Sequence, residues 1–353
     1  MTPGQLARSS ACLAPALCQD VITLPGPSLG SQGALQCLSV VAEDLDDGHL
    51  PDLMAALAPE VAAAVSPESG HATSVRTTAL SILCHLLRTL SFMTGKAQRA
   101  VRCARADHRV SEAQSASSER ARVPGSGIRA TRRRDRRDAS MPHTCAVLGH
   151  VAALVGPAPD PDDEDSLHLH TTARRVATLA VPLYLKHPQV HPAAPALLSA
   201  AVEGLGALVG PFEITVVLPE DGDEHTAASA LDALVCQHLE LVVALLGRSA
   251  LAEALAPAAG RLALATGRLM QLTVRQEADW GRDAGHLVGE DTADFGAPRA
   301  AGELVLEAAV EAYDAAGVAA VVGAYQELHA EAGALEAAGR WAWAWRRREA
   351  ALR

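Results

Sequence analysis

The stretch from Leu269 to Val310, LMQLTVRQEADWGRDAGHLVGEDTADFGAPRAAGELVLEAAV, contains the pattern that decides the fold. An apolar run with helical spacing ends near its start, and an acidic, glycine-containing connector follows. A second apolar run with helical spacing begins near its end. Two amphipathic segments joined by a polar connector are typical of a helix pair, so the stretch predicts two helices with a loop between them.

Helix pairs of this kind recur along most of the chain, at a spacing near the roughly 40 to 47 residues of HEAT and armadillo units. Such units cannot close a core alone and must stack. The sequence therefore predicts an all-α fold, a right-handed α-solenoid of HEAT-type helical repeats, with a compact helical bundle as the alternative. In the second part of the chain the predicted helices are 141–155, 166–186, 193–210, 226–247, 250–273, 298–315, 318–338 and a last helix from 340.

The composition agrees with a helical protein. Aromatic residues make up only 3% of the chain, whereas Ala, Leu and Val dominate an apolar fraction of 49%, so residues that favour strands are scarce. Seven scattered cysteines without a Cys-x-x-Cys pair argue against a disulfide framework and fit a reducing compartment. No uninterrupted apolar run reaches the roughly 18 to 20 residues of a membrane-spanning helix, so we expect a soluble, intracellular protein.

Charge is distributed unevenly and defines the domain organisation. The segment 96–140 holds 13 basic and 5 acidic residues, whereas the whole chain has a formal net charge of −11. This segment has few large apolar residues, so it cannot offset the entropy of ordering. We predict four regions: a disordered or partial N-terminus at 1–32, HEAT-like helix pairs at 33–95, a basic disordered insert at 96–140, and HEAT-like repeats with acidic connectors at 141–353.

The acidic connectors are the candidate binding residues. One connector alone is more often a solvated turn, but carboxylates that recur at successive junctions and face one side of a solenoid add their fields. An acidic surface suits a basic protein partner and opposes nucleic acid. The candidate contacts to a basic partner are Asp162, Asp163, Glu164, Asp165, Glu220, Asp221, Asp223, Glu224, Glu290, Asp291 and Asp294.

Motifs that would indicate catalysis or metal binding are weak. GPSLG at 26–30 has the spacing of a nucleophile elbow, but prolines interrupt the strand that Ser28 would need before it. His168 and His170 face different directions on a helix, and the basic run RRRDRR at 132–137 lacks interleaved aromatic residues. We expect no enzymatic activity, no metal or other cofactor, and no nucleic-acid or membrane partner.

Three quoted segments carry a resemblance to a known family. LMQLTVRQEADW, GEDTADF and WAWAWRRREAAL together resemble the importin-β (karyopherin) family of nuclear transport receptors, most specifically over 205–353. Trp280, Phe295, Trp345 and Glu349 are interpreted as structural residues of this motif. The other matching positions are Met270, Gln271, Leu272, Thr273, Glu290, Asp291, Asp294, Arg346 and Ala350.

The resemblance implies a receptor that shuttles between cytoplasm and nucleus. It implies import of basic cargo such as histones and ribosomal proteins, with the GTPase Ran as regulator and nuclear pore proteins as partners. The family's N-terminal Ran-binding region and its C-terminal half have no counterpart here, so the sequence indicates a fragment of such a receptor. The alternatives are a helical-repeat scaffold without a transport role, or the non-functional product of a faulty gene model.

Overall fold

The computed structural model describes residues 59–88, 145–186, 192–219, 225–282 and 297–352. Throughout these residues the backbone is almost entirely helical, and none of them lies in a β-strand. The predicted N-terminal region 1–32 and the predicted basic insert 96–140 lie outside the described residues.

The chain divides into two compact units. One comprises Met1–Val147 and Lys186–Val190, and the other comprises Leu148–Leu185 and His191–Arg353. The described part of the first unit includes a helical hairpin, α1 (59–65) and α2 (73–88).

The α1–α2 hairpin is closed by a short turn and one side-chain hydrogen bond. Pro67–Ser69 form a 3-10 turn, and Gly70 follows with a positive φ of 65°, a conformation that glycine adopts without steric cost. Nη2 of Arg76 in α2 donates to the carbonyl oxygen of Val65, the last residue of α1, at 3.2 Å. Most of the buried side chains of the two helices are apolar and include Val65 and Leu80, and Thr77 of α2 is a buried polar residue.

The second unit contains a longer series of helices. Its first helix, α3, begins three residues before the boundary between the units. A π-helical turn, Glu213–Val217, extends the fifth helix, and a 3-10 turn, Ala256–Ala258, follows the seventh. The helices are α3 (Cys145–Val155), α4 (Glu164–Lys186), α5 (Ala194–Phe212), α6 (His225–Leu246), α7 (Ser249–Leu255), α8 (Ala259–Leu269), α9 (Val274–Arg282), α10 (Pro298–Tyr313), α11 (Ala315–Ala337) and α12 (Trp341–Leu352).

The helices of this unit stack through small and aliphatic side chains. Helix α8 packs against α5, α10, α11 and α12, while α10 also packs against α6 and α11. The buried interior is composed mainly of Leu, Val and Ala, with few aromatic side chains such as Phe212 and Tyr184. The stacking of helices confirms the predicted all-α, α-solenoid class of helical-repeat fold.

Two helix boundaries differ from the sequence-based prediction. The predicted single helix 250–273 is divided into α7 and α8, because Pro257 lacks the backbone N–H that would continue the helix. The region after Thr273 was predicted as a connector, but it contains α9. Thr273 and Gln276 form a reciprocal capping box, in which Thr273 Oγ1 accepts from the Gln276 N–H at 3.1 Å and Gln276 Oε1 accepts from the Thr273 N–H at 3.1 Å.

Helices α10 and α11 are joined by an unusually tight turn at Asp314, whose φ is 49°. The turn brings Gly317 against the preceding helix, where an added Cβ would lie 2.4 Å from the carbonyl oxygen of Ala309. The predicted helices 298–315 and 318–338 therefore meet more closely than a two-residue connector would allow.

Two helices are long and apolar enough to cross a membrane by length and composition alone, Ala194–Val217 and Ala228–Leu246. In each of these helices, half or more of the most apolar 18-residue stretch is buried within the fold. Core helices of helical proteins pass the same test, so the observation is weak evidence for a membrane span.

Candidate functional site

The acidic turn before α4 presents the predicted contacts that the structure describes. Asp163 caps the helix, because its Oδ1 accepts a hydrogen bond from the Ser166 N–H at 3.0 Å. The side chains of Asp162, Glu164 and Asp165 are exposed. Among the described residues, no ion pair involves these three carboxylates.

The remaining predicted contacts lie outside the described part of the chain. They are Glu220, Asp221, Asp223, Glu224, Glu290, Asp291 and Asp294. Phe295 also lies outside the described residues. Trp280 lies in α9. The structure therefore brings together only the acidic residues of the turn at 160–165, which are also neighbours in sequence.

Glu349 links three helices through Arg299. The carboxylate of Glu349 in α12 accepts two hydrogen bonds from the Arg299 guanidinium in α10, at 2.7 and 2.8 Å. Nη1 of Arg299 also donates to the carbonyl oxygen of Met270, directly after α8, at 3.1 Å. Met270, Arg299 and Glu349 therefore connect the end of α8 with α10 and α12.

The tryptophans of α12 do not share one face of the helix. Trp341 is 65% exposed at the first position of the helix, and Trp345 is 37% exposed. The Arg346 guanidinium lies over the Trp345 ring, 4.4 Å from its centroid. Trp341 and Trp345, four residues apart, lie on one exposed side of α12, whereas Trp343 is partly buried and lies on a different side, because residues two apart point to different sides of a helix.

A network of ion pairs beneath α12 was not anticipated from the sequence. Three consecutive arginines of α12 reach carboxylates on other elements: Arg346 pairs with Glu277, Arg347 with Glu213 and Glu331, and Arg348 with Glu336. Arg268 of α8 also pairs with Glu331. The only sequence signal was the run RRR at 346–348, whose partners are distant in sequence.

A second unanticipated cluster is buried around Arg174 of α4. Its guanidinium donates to His238 Nδ1 at 2.8 Å, to the Val155 carbonyl at 2.9 Å and to the His170 carbonyl at 3.1 Å. Val155 ends α3, where helix carbonyls carry partial negative charge. Burial lowers the pKa of Arg174 to about 9, so the side chain remains a cation at neutral pH.

The same cluster keeps His238 neutral. Burial, and then the positive charge of Arg174, lower the pKa of His238 to about 3. Because Arg174 donates to Nδ1, the ring carries its proton on Nε2 and donates it to the Ala201 carbonyl at 2.7 Å. The contacts of Arg174 and His238 thus tie α3, α4, α5 and α6 together.

A polar cavity of about 530 Å³ lies between α4, α6 and the start of α9 and α10. Its lining includes Arg175, Ser229, Cys236, Gln237 and Arg275. Burial raises the pKa of Cys236 to about 12, so this cysteine is a thiol rather than a nucleophilic thiolate at neutral pH. The cavity is therefore a polar cleft between helices, and Cys236 does not supply it with a nucleophile at neutral pH.

The histidine pair of the sequence is separated by the helix. His168 is exposed, whereas His170 is buried beside Arg174. Within the described ranges, no group of three or more His, Cys, Asp or Glu residues is arranged to hold a metal ion.

Comparison with models of known protein families, and with curated protein sequences, gives no match to this chain.

Proposed function

We propose that this protein is a helical-repeat receptor that captures basic protein segments with exposed carboxylates, in the manner of the importin-9-like members of the importin-β family. The observation that carries the proposal is the availability of Asp162, Glu164 and Asp165, which are exposed and make no ion pair among the described residues. The carboxylates beneath α12, in contrast, are occupied by arginines of the same chain.

The resemblance of the segments at 269–295 and 341–350 to nuclear transport receptors supports the cargo class. Histones and ribosomal proteins are rich in Lys and Arg, and their charge is complementary to an acidic turn. Stacked helical repeats offer extended surfaces on which several such turns can act together. We therefore propose import of basic cargo into the nucleus, with release governed by Ran and passage through contacts with nuclear pore proteins.

Binding by this mechanism is electrostatic and non-covalent. The acidic turn attracts a basic segment over about 8 Å at physiological ionic strength, and over about 3 Å at 1 M salt. Charge complementarity of this kind raises the association rate and selects against acidic partners. The capping role of Asp163 keeps the turn ordered at the beginning of α4, so its neighbours are held in place at the surface.

The test is a titration of the full 353-residue chain with a core-histone dimer at physiological and at 1 M salt. The triple variant Asp162→Asn, Glu164→Gln, Asp165→Asn should weaken binding about tenfold at physiological salt and much less at high salt. Asp163 is left unchanged because it caps α4. A matched control removes three exposed carboxylates elsewhere, Glu307→Gln, Glu311→Gln and Glu327→Gln, and should bind like the unmodified chain.

Two outcomes would reject the proposal. Equal weakening by the control variant would mean that only net charge matters, and absence of histone binding would leave a helical-repeat scaffold without this cargo. Transport is tested separately by adding Ran loaded with GTP to the histone complex. Release of histone is expected for an import receptor, whereas a static scaffold would keep its ligand.

A further inference from the structure

Helix α12 is attached to the rest of its unit without a large apolar side chain in the interior. Its buried residues are Ala344, Arg346, Arg347 and Ala350. Its large apolar residues are partly or mainly in solvent, with Leu352 at 84% exposure. Hydrophobic burial is usually the main force that holds a packed helix. Trp343 of α12 is partly buried and Trp345 is 37% exposed, but the buried positions of the helix are two alanines and two arginines, so ion pairs have an unusually large share in its docking.

The ion pairs of α12 have the form of a basic ligand in an acidic site. Every charged side chain within the helix contacts another element, and three of the four are arginines at consecutive positions. We define the α12 docking surface as Glu213, Glu277, Glu331 and Glu336. These residues come from the turn after α5, from α9 and from α11.

The fit between the arginines and this surface is incomplete. Among the residues that the structure describes, none offers a hydrogen-bond acceptor to the buried Nε atom of Arg346, Arg347 or Arg348. Each guanidinium therefore contacts its carboxylates through terminal nitrogens only, while a buried N–H donor stays unsatisfied. A buried donor without an acceptor costs free energy, so a ligand that satisfies more of these donors would compete with α12.

We propose that α12 is an internal competitor, and that an arginine-rich segment of a basic protein displaces it from Glu213, Glu277, Glu331 and Glu336. The inference rests on the proposed function, because it names a second place on the same receptor for the same class of partner. Arginine is the expected residue, since its planar guanidinium can make two parallel hydrogen bonds to a carboxylate, which an ammonium group cannot do.

The tryptophans provide a direct readout of α12. Three of the four tryptophans of the chain, Trp341, Trp343 and Trp345, lie in this helix, so a Trp280→Phe variant fluoresces from α12 alone. The probe is a tryptophan-free peptide that copies residues 341–352, AAAAARRREAAL. Displacement should shift the emission to longer wavelength and raise amide hydrogen exchange in 341–352, with stronger effects at low salt. The peptide AAAAAQQQEAAL should change neither signal.

Two variants of Arg348 in α12 separate competition for the docking surface from mere destabilisation of the protein. Arg348→Glu places two carboxylates together at Glu336, the most exposed of the arginine sites, and should loosen α12. Because a docked competitor reduces the apparent affinity by the fraction of open protein, this variant should bind the arginine peptide about tenfold more tightly. The matched variant Arg348→Lys keeps a cation opposite Glu336 without altering the docking surface, and it should keep an affinity close to the original value.

The control variant Arg275→Gln removes an exposed arginine outside α12 and should leave the affinity unchanged. Circular dichroism checks that each variant keeps its helical content. An affinity for the arginine peptide that stays equal or falls in a folded Arg348→Glu variant would overturn the proposal, as would unchanged emission and hydrogen exchange at saturating peptide. If the α12 proposal fails in this way but histone binding still depends on the turn at 160–165, the proposed function remains intact. Loss of histone binding with α12 displacement intact would reject the proposed function alone.

Discussion

Arg174 and His238 share a hydrogen bond of 2.8 Å in the interior, where neither side chain has contact with solvent. The arginine is charged and the histidine is neutral, and their remaining donors are directed at backbone carbonyls. Protonation of the histidine would place two cations against each other in a region of low dielectric constant. This contact therefore makes the stability of the helical unit depend on pH.

We expect acid to destabilise the protein through His238. Its pKa is lowered from 6.5 to about 3 in the folded state, so below pH 6.5 the unfolded chain binds a proton that the folded chain does not. The contribution to stability is fully present above pH 6.5 and falls by about 1.4 kcal/mol per pH unit below it, until the pH reaches the folded pKa.

Urea unfolding of the full chain between pH 7.5 and pH 5 measures this effect. The His238→Gln variant should be less stable at neutral pH but should have a flatter pH dependence than the unmodified chain. His329 is an exposed histidine on α11, so His329→Gln should leave the original pH dependence in place. An unchanged slope in His238→Gln would contradict the assignment.

Gly204 of α5 allows the close approach that builds the same cluster. An added Cβ would lie 2.3 Å from the Val155 carbonyl oxygen and 2.7 Å from Cε1 of His238. Gly204→Ala should therefore destabilise the protein by about 1 to 3 kcal/mol through overpacking against a backbone that cannot move freely. Gly206, on the same helix, has open space around it, and Gly206→Ala should be neutral or stabilising by up to about 1 kcal/mol. Thermal unfolding of the two variants measures the difference in stability between them. Equal melting temperatures would reject the packing argument.

The Arg299–Glu349 pair should be worth far more than an exposed ion pair. The Arg299 side chain is almost fully buried, so Glu349→Ala leaves a guanidinium without its carboxylate and should cost about 3 kcal/mol or more. The pair between the exposed Arg282 and Asp279 serves as the comparison, and Arg282→Ala should change stability by less than about 1 kcal/mol. Chemical denaturation of both variants tests the difference. Similar losses would show that burial of Arg299 has no energetic consequence.

The acidic turn should show a division between capping and binding residues. Asp163→Ala removes the carboxylate that caps α4 and should destabilise the protein by about 1 kcal/mol. Asp162→Ala should change stability by less than about 0.5 kcal/mol, because the exposed side chain of Asp162 makes no ion pair among the described residues. The expected order in histone affinity is the reverse, with the larger loss for Asp162→Ala. Stability and binding measured on the same two variants provide the check.

The positions of the helices could be predicted from local apolar patterns, whereas the points where helices begin or break depend on individual residues, such as capping residues. The apolar spacing of 298–315 predicts α10 to within two residues, because the pattern depends only on neighbours along the helix. Helix α9 was missed because its sequence is polar and short, although Thr273 and Gln276 have the spacing of a capping box. Closer attention to that spacing would have located the beginning of the helix.

The structure also changes which carboxylates can serve as contacts. Sequence reasoning selected acidic residues in connectors, and Asp162, Asp163, Glu164 and Asp165 of the turn before α4 are exposed. It attached no binding role to Glu213 and Glu331, which lie among apolar residues and face arginines of α12. Their role depends on the packing of helices on one another, between neighbouring helices for Glu331 and across 134 positions of the chain for Glu213.

Local sequence patterns are enough to predict that this protein is built from stacked helices, because small and aliphatic residues at helical spacing give each segment one face to bury. The sequence also placed an acidic turn at the start of α4, since both the turn and its cap are formed by neighbouring residues. The charged side chains that pair inside the protein are known only from its tertiary structure. Arg174 meets His238 across 64 positions of the chain, and Arg347 meets Glu213 across 134 positions. Such contacts arise from the packing of helices on one another, which no local pattern encodes.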